Sequence, residues 1–117
     1  MGPLGLGSLI VKPRRHVTFV GDLSDDEVSE LGPLLRTASA IAAELVGAEQ
    51  VYNCLWSHAE GKPGHLHYVV QPVTAEAMNH HGTYGPALQM AMFTAGDRPS
   101  TAEIEAIAAR ARAAFAN

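Results

Sequence analysis

The segment from Ser24 to Gly47 constrains the fold more than any other stretch of the sequence. Ser24 stands three residues before Glu27, the spacing at which a hydroxyl accepts from one backbone N–H while a carboxylate accepts from the other. From there Val28, Leu31, Leu35, Ala38, Ala42 and Leu45 recur three or four residues apart, and Gly47 follows as a left-handed terminator. Such a helix carries an apolar stripe that other elements must cover, and 117 residues hold enough material to cover it once. The sequence therefore predicts a single domain, 1–117, built around one packing helix. Gly32-Pro33 falls inside the stripe, and an interior proline costs roughly 3 kcal/mol through its missing donor and its ring clash, so a kink or a late start is expected there.

Covering material lies on both sides of this helix. Gly7 to Val11 is a short β-branched run that ends at Lys12-Pro13, as a strand entering a turn does. Gln50 to Trp56 and His65 to Gln71 are rich in β-formers, and the polar segment Ser57 to Gly64 between them reads as a loop, so two adjacent antiparallel strands are expected. After Thr74, the glycines at 82, 85 and 96 punctuate short helices whose apolar contacts come from Met78, Leu88, Met90, Met92 and Phe93. Ser100 and Glu103 repeat the capping spacing, and Ile104, Ile107, Ala111 and Phe115 give a last helical stripe. The predicted class is α+β: an antiparallel sheet packed against one main helix, with extra C-terminal helices.

Composition removes several functional classes. With 47% hydrophobic and 17% charged residues the chain is neither disordered nor membrane-spanning, so no membrane partner is expected. A formal charge of -4 lacks the cationic excess that displaces counterions from a polyanion, which excludes a nucleic-acid partner. Met1 to Val11 has no basic residue ahead of its apolar stretch and no small-residue cleavage pattern, so it does not read as a signal peptide. The lone Cys54 forms no internal disulfide, and a reducing, cytoplasmic location is expected.

Chemistry concentrates in one strand. In extended backbone His65, His67 and Val69 point one way and Leu66, Tyr68 and Val70 the other, with the two histidine Cα atoms about 7 Å apart. Two imidazoles at that spacing can meet one phosphate, or one can orient the other as a nucleophile. The run Gly64-His65-Leu66-His67-Tyr68-Val69-Val70-Gln71-Pro72 resembles the histidine-triad (HIT) motif, in which histidines alternate with apolar residues ahead of a proline. Upstream, Leu9-Ile10-Val11-Lys12-Pro13-Arg14-Arg15-His16 is similar to the family's strand ending in proline, two basic residues and histidine, and Asp22 to Glu27 to its helix start. The resemblance spans Gly7 to Pro72 and implies a HIT-like fold and a nucleotide or nucleotide-like ligand. It implies His67 as the nucleophile that takes a nucleotidyl group from phosphorus, His65 as its orienting partner, and His16 in the same cluster. Ser57, Gly61, Lys62 and Gly64 resemble the family's phosphate-holding loop, and His58 beside them is a further candidate, as are His80 and His81 after the motif.

Two departures from the pattern shape the functional expectation. The third motif histidine, which meets a phosphate oxygen or the leaving group, is Val69, and valine neither donates nor protonates. The family's elements ahead of the Leu9–Val11 strand, which help to hold base and ribose, are missing, so the nucleoside half of the pocket is expected to be incomplete. Three readings stand: a nucleotidyl hydrolase or transferase acting on a phosphoramidate or dinucleoside polyphosphate; a binding module that keeps the phosphate pocket without turnover; and a zinc site using His65, His67 and His16 or His58. The leading reading requires no cofactor and no metal, and the family's two-fold association implies a homodimer.

Overall fold

The computed structural model describes residues 5–96 and 98–117; the first four residues of the apolar start lie outside them. Helix α1 runs Asp25–Val46. Both halves of its cap are made: the Ser24 N–H donates to Glu27 Oε1 at 2.8 Å, and the Glu27 N–H to Ser24 Oγ at 3.2 Å. Gly47 ends the helix at φ 64°, ψ 46°, a left-handed conformation that costs glycine nothing.

The expected late start at Gly32-Pro33 is not found, because the helix begins at Asp25 and continues through Pro33. Ser29, whose carbonyl loses its donor to the proline, is exposed, as is Pro33, so the carbonyl stays open to solvent. The proline still carries its propensity cost, and Pro33→Ala is expected to stabilise the protein by about 2 kcal/mol, read as a higher midpoint in urea. An unchanged midpoint would mean that the helix has already absorbed the proline at no cost.

The stripe also needs one correction. Ala38, Ile41 and Ala42 are buried and Leu31, Leu35 and Leu45 half-buried, but Val28 is 56% exposed. An open cavity rather than sheet lies beside the first turns of α1, where Asp26, Glu27, Glu30 and Leu31 form its wall.

The sheet has three strands, β1 (Leu9–Val11), β2 (Gln50–Leu55) and β5 (Tyr68–Val73), in the order β1-β5-β2 and antiparallel throughout. β5 is central, and its Val70 is fully buried against Ala38 and Ala42, with Leu9, Val11, Leu35 and Val51 packed around them. Two alanines on the facing helix let the sheet approach closely, which is why small residues occupy the middle of the stripe.

β5 starts later than expected. Val11 and Leu55 both pair with Tyr68, so the strands on either side run out there and His65, Leu66 and His67 precede the ladder. On the β1 side the reason is Pro13, which has no N–H to extend the pairing. The segment Ser57 to Gly64 is likewise no plain loop. β3 (His58–Ala59) and β4 (Lys62–Pro63) form a hairpin closed by Glu60 at φ 54° and Gly61 at φ 77°. Two successive residues at positive φ make the mirror-image turn that matches strand twist.

Opposite α1, helix α3 (Gly85–Ala95), which follows the short α2 (Ala75–His81), lies over the other sheet face, with Leu88 fully buried. Gln71, alternate to Val70 on β5, is fully buried there too: its Nε2 donates to Met92 Sδ at 3.4 Å and its Oε1 accepts from Gln89 Nε2 at 3.0 Å. The Gln89 amide nitrogen also donates to Cys54 Sγ at 2.8 Å. Helix α4 (Thr101–Ala116) carries the second capping box and packs on α1. Its Ala111 is buried, but Ile104 and Phe115 are 49% and 43% exposed, so only part of the predicted last stripe is covered.

Candidate functional site

The turn after β1 builds the site. Between Lys12 and Phe19 the backbone joins no ladder, and His65 fills the hollow of this turn. The Val17 N–H donates to His65 Nδ1 at 3.3 Å, and the other ring nitrogen, Nε2, lies 2.9 Å from the Pro13 carbonyl. A backbone N–H requires an acceptor at Nδ1, and a carbonyl requires a donor at Nε2, so the partners fix His65 as the neutral Nε2–H tautomer. The Leu66 N–H closes the clamp by donating to the Val17 carbonyl at 2.7 Å, and Leu66 itself is 1% exposed.

His67 stands on that clamp. Its Nδ1 lies 3.0 Å from the His65 carbonyl, which can only accept, so Nδ1 carries the proton and Nε2 is the lone-pair nitrogen. Orientation runs through the backbone carbonyl of His65 rather than from ring to ring. Both His65 nitrogens are committed, and the ring is left with its faces. His16, exposed, stacks on one of them, with centroids 5.3 Å apart and planes 14° from parallel. Its own nitrogens have no partner among the described residues.

The remaining candidates divide. His58 pairs with Pro63 and Ala59 with Lys62, so His58 and Lys62 project from opposite faces of the hairpin and only one of them can face a common ligand. Ser57, joined to Gly64 by a 2.8 Å bond from the Gly64 N–H to the Ser57 carbonyl, continues on the Lys62 side. His80 and His81 pack edge to face on each other, 4.8 Å between centroids, at the end of α2. Val69 is 1% exposed, set between Ile10 of β1 and Cys54 of β2. The zinc reading fails at His65, which has no free nitrogen to give, and among the described residues no three His, Cys, Asp or Glu side chains are gathered to hold a metal.

A cavity of about 530 Å³ lies not beside the imidazoles but on the α1 side of the same strand, where Leu66 and Tyr68 join Val11, Leu31 and Leu34 in its apolar wall. Arg15 stands at its rim. One guanidinium nitrogen donates to Glu27 Oε1 at 2.7 Å and to the Asp22 carbonyl at 2.8 Å. That residue was legible only as a turn-covering cation, since nothing local announces a partner 12 residues away. The buried amide of Gln71 left a sequence signal, a polar side chain inside an apolar strand, that the motif reading passed over.

The Arg15 hydrogen bond first, and the Ser24 N–H next, hold the Glu27 carboxyl below its ordinary 4.5. The Ser100 backbone does the same for Glu103. A carboxylate depressed in the folded state contributes stability that is complete above its unfolded value and is lost as pH falls through the folded one. The thermal midpoint is therefore expected to decline as pH drops below 4.5, with Glu27→Gln flattening the decline. A wild-type midpoint level across that range would contradict the Arg15–Glu27 and capping geometry.

No family model and no curated protein matches the chain. Among solved structures it is similar to a Hit-like protein from Bartonella henselae, described as involved in cell-cycle regulation and as holding an unknown ligand. The TM-score is 0.66 at 16% identity, over 96% of this chain and 73% of that one. The likeness is one of fold: antiparallel sheet, main helix and further helices take the HIT-like arrangement that the motif implied. Among the described residues no helix is long and apolar enough to cross a membrane.

Proposed function

With the HIT-like fold as premise, we propose that the chain is a nucleotide-binding protein of the histidine-triad type, acting as a nucleotidyl hydrolase or transferase on a nucleoside phosphoramidate or dinucleoside polyphosphate. The observation that carries this reading is the 3.0 Å contact from His67 Nδ1 to the His65 carbonyl, which makes Nε2 the lone-pair nitrogen. That lone pair attacks the α-phosphorus. A P–N bond forms as the bond to the amine or phosphate leaving group breaks, and the departing group takes the electron pair and a proton from water. Water then cleaves the P–N bond, releasing the nucleoside monophosphate and restoring neutral His67. Ser57, Lys62 and the Gly64 backbone hold phosphate oxygens from the hairpin, with His58 on its other face. The working unit is a cytoplasmic homodimer, to which the outer edges of β1 and β2, at the two ends of the sheet among the described residues, are suited.

The burial of Val69 favours a second reading, a module that binds the nucleotide phosphate with little or no turnover. Intact-mass measurement after brief incubation with adenosine phosphoramidate, and separately with a dinucleoside polyphosphate, decides between the two. A nucleotidyl adduct or nucleoside monophosphate that depends on His67 supports the enzyme. Binding by calorimetry with neither adduct nor product supports the module, and absence of binding overturns both.

A further inference from the structure

The geometry points to Arg15 as a positioning residue for the His65–His67 pair, acting through the turn by which His65 is held. The inference rests on the reading of His67 as nucleophile. Arg15 lies two residues from Pro13 and two from Val17, the residues whose carbonyl and N–H grip the His65 ring. Among the described residues its side chain is the one hydrogen-bonded tie from this turn to α1. The guanidinium joins Glu27 Oε1, which is already fixed by the Ser24 N–H, and the Asp22 carbonyl just before the helix.

The connections form one path. The α1 cap holds Glu27, Glu27 holds Arg15, Arg15 holds the turn, the turn holds His65 as its Nε2–H tautomer, and the His65 carbonyl holds the proton on His67 Nδ1. Release of Arg15 leaves the turn with no ladder bonds and no side-chain anchor to α1. Val17 and Pro13 then drift from the ring, and His65 samples its other tautomer. The His65 carbonyl moves with its residue, so His67 loses its fixed orientation. Because the Arg15–Glu27 pair is exposed on the arginine side, 54% for Arg15 and 20% for Glu27, its contribution to stability is small and its main effect is to orient the turn.

The test compares wild type with Arg15→Ala, Arg15→Lys and Glu27→Gln, in the full chain. Long-range nitrogen–proton spectra report the His65 tautomer without any substrate, and steady-state kinetics with adenosine phosphoramidate report turnover. Arg15→Ala is expected to convert the single Nε2–H signature of His65 into an averaged one. It should lower kcat by about ten- to a hundredfold with KM little changed, the scale of a misplaced catalytic group. Arg15→Lys is expected to restore both readouts, since one nitrogen makes both of the arginine's bonds and an ammonium can do the same. Glu27→Gln, which keeps an oxygen acceptor at the cap, is expected to give the same spectral change at smaller amplitude and covers the case in which Arg15→Ala unfolds. An unchanged His65 signature in Arg15→Ala, or in Glu27→Gln if the alanine variant unfolds, overturns the assignment whatever turnover does. Absence of turnover in wild type would instead sink the nucleophile reading, and the spectra would still decide whether Arg15 holds His65.

Discussion

His67→Ala is expected to abolish the nucleotidyl adduct and to lower kcat by a factor on the order of 10⁴ or more, with the thermal midpoint nearly unchanged. The magnitude follows from the role: removal of a covalent nucleophile forces direct attack by water, and His65 offers no replacement lone pair. His65 is the nearest imidazole in sequence, but both its nitrogens are bound to backbone. The small stability effect follows from position, since His67 is half-buried ahead of the β5 ladder and makes one hydrogen bond, to the carbonyl two residues before it. His67→Gly with free imidazole in solution separates chemistry from structure, because added imidazole should restore turnover and carry the nucleotidyl group into solution. Residual turnover within tenfold of wild type in the alanine variant would remove His67 from the reaction.

Val69→His, which completes the three-histidine spelling, is expected to destabilise the protein without raising turnover. Val69 is 1% exposed in the central strand, flanked by Ile10 and Cys54. An imidazole there is larger than the space left by valine and brings two polar nitrogens beside Cys54, Gln71 and Gln89, whose side chains already hydrogen-bond among themselves. Overpacking of a filled core costs about 1–3 kcal/mol, and an unpaired buried polar group a similar amount, so a loss of about 3 kcal/mol is expected. For a chain of this size that lowers the midpoint by roughly 10 °C. If the variant melted with wild type and turned over substrate at least tenfold faster, position 69 would belong to the pocket and the burial argument would be wrong. The result also bears on the choice between enzyme and binding module, since a third imidazole that cannot be accommodated was not simply omitted from an otherwise complete site.

What the sequence disclosed and what it withheld follow from the range of the forces involved. Helix α1 was legible because its signals are local: the cap at Ser24 and Glu27, the three-and-four spacing of Leu31, Leu35, Ala38 and Ala42, and Gly47 as terminator all act within a turn or two. The start of β5 was not, because a strand ends where its neighbours end, and Tyr68 is fixed by Val11 and Leu55, far away in sequence. Val28 fits the helical period and is nonetheless exposed, since periodicity tells which face a residue shares and not whether anything lies opposite. The hairpin turn escaped notice because glutamate at Glu60 is a poor sequence signal for positive φ. The site divides the same way. That His65 and His67 are neighbours was readable from their spacing, whereas the hold on His65 by Pro13 and Val17 exists only once residues some 50 positions apart are brought together, and that of Arg15 on the turn between them only once Glu27, 12 residues on, comes alongside.

The hairpin of β3 and β4 hydrogen-bonds within itself and joins no strand of the main sheet. Its tip is set by two backbone angles rather than by anything packed beneath it, so residues 58–63 are open to wholesale exchange while the framework of strands and helices stays as it is. Selection, or a protein engineer, could therefore rewrite what this edge of the molecule accepts without renegotiating how the molecule holds its shape.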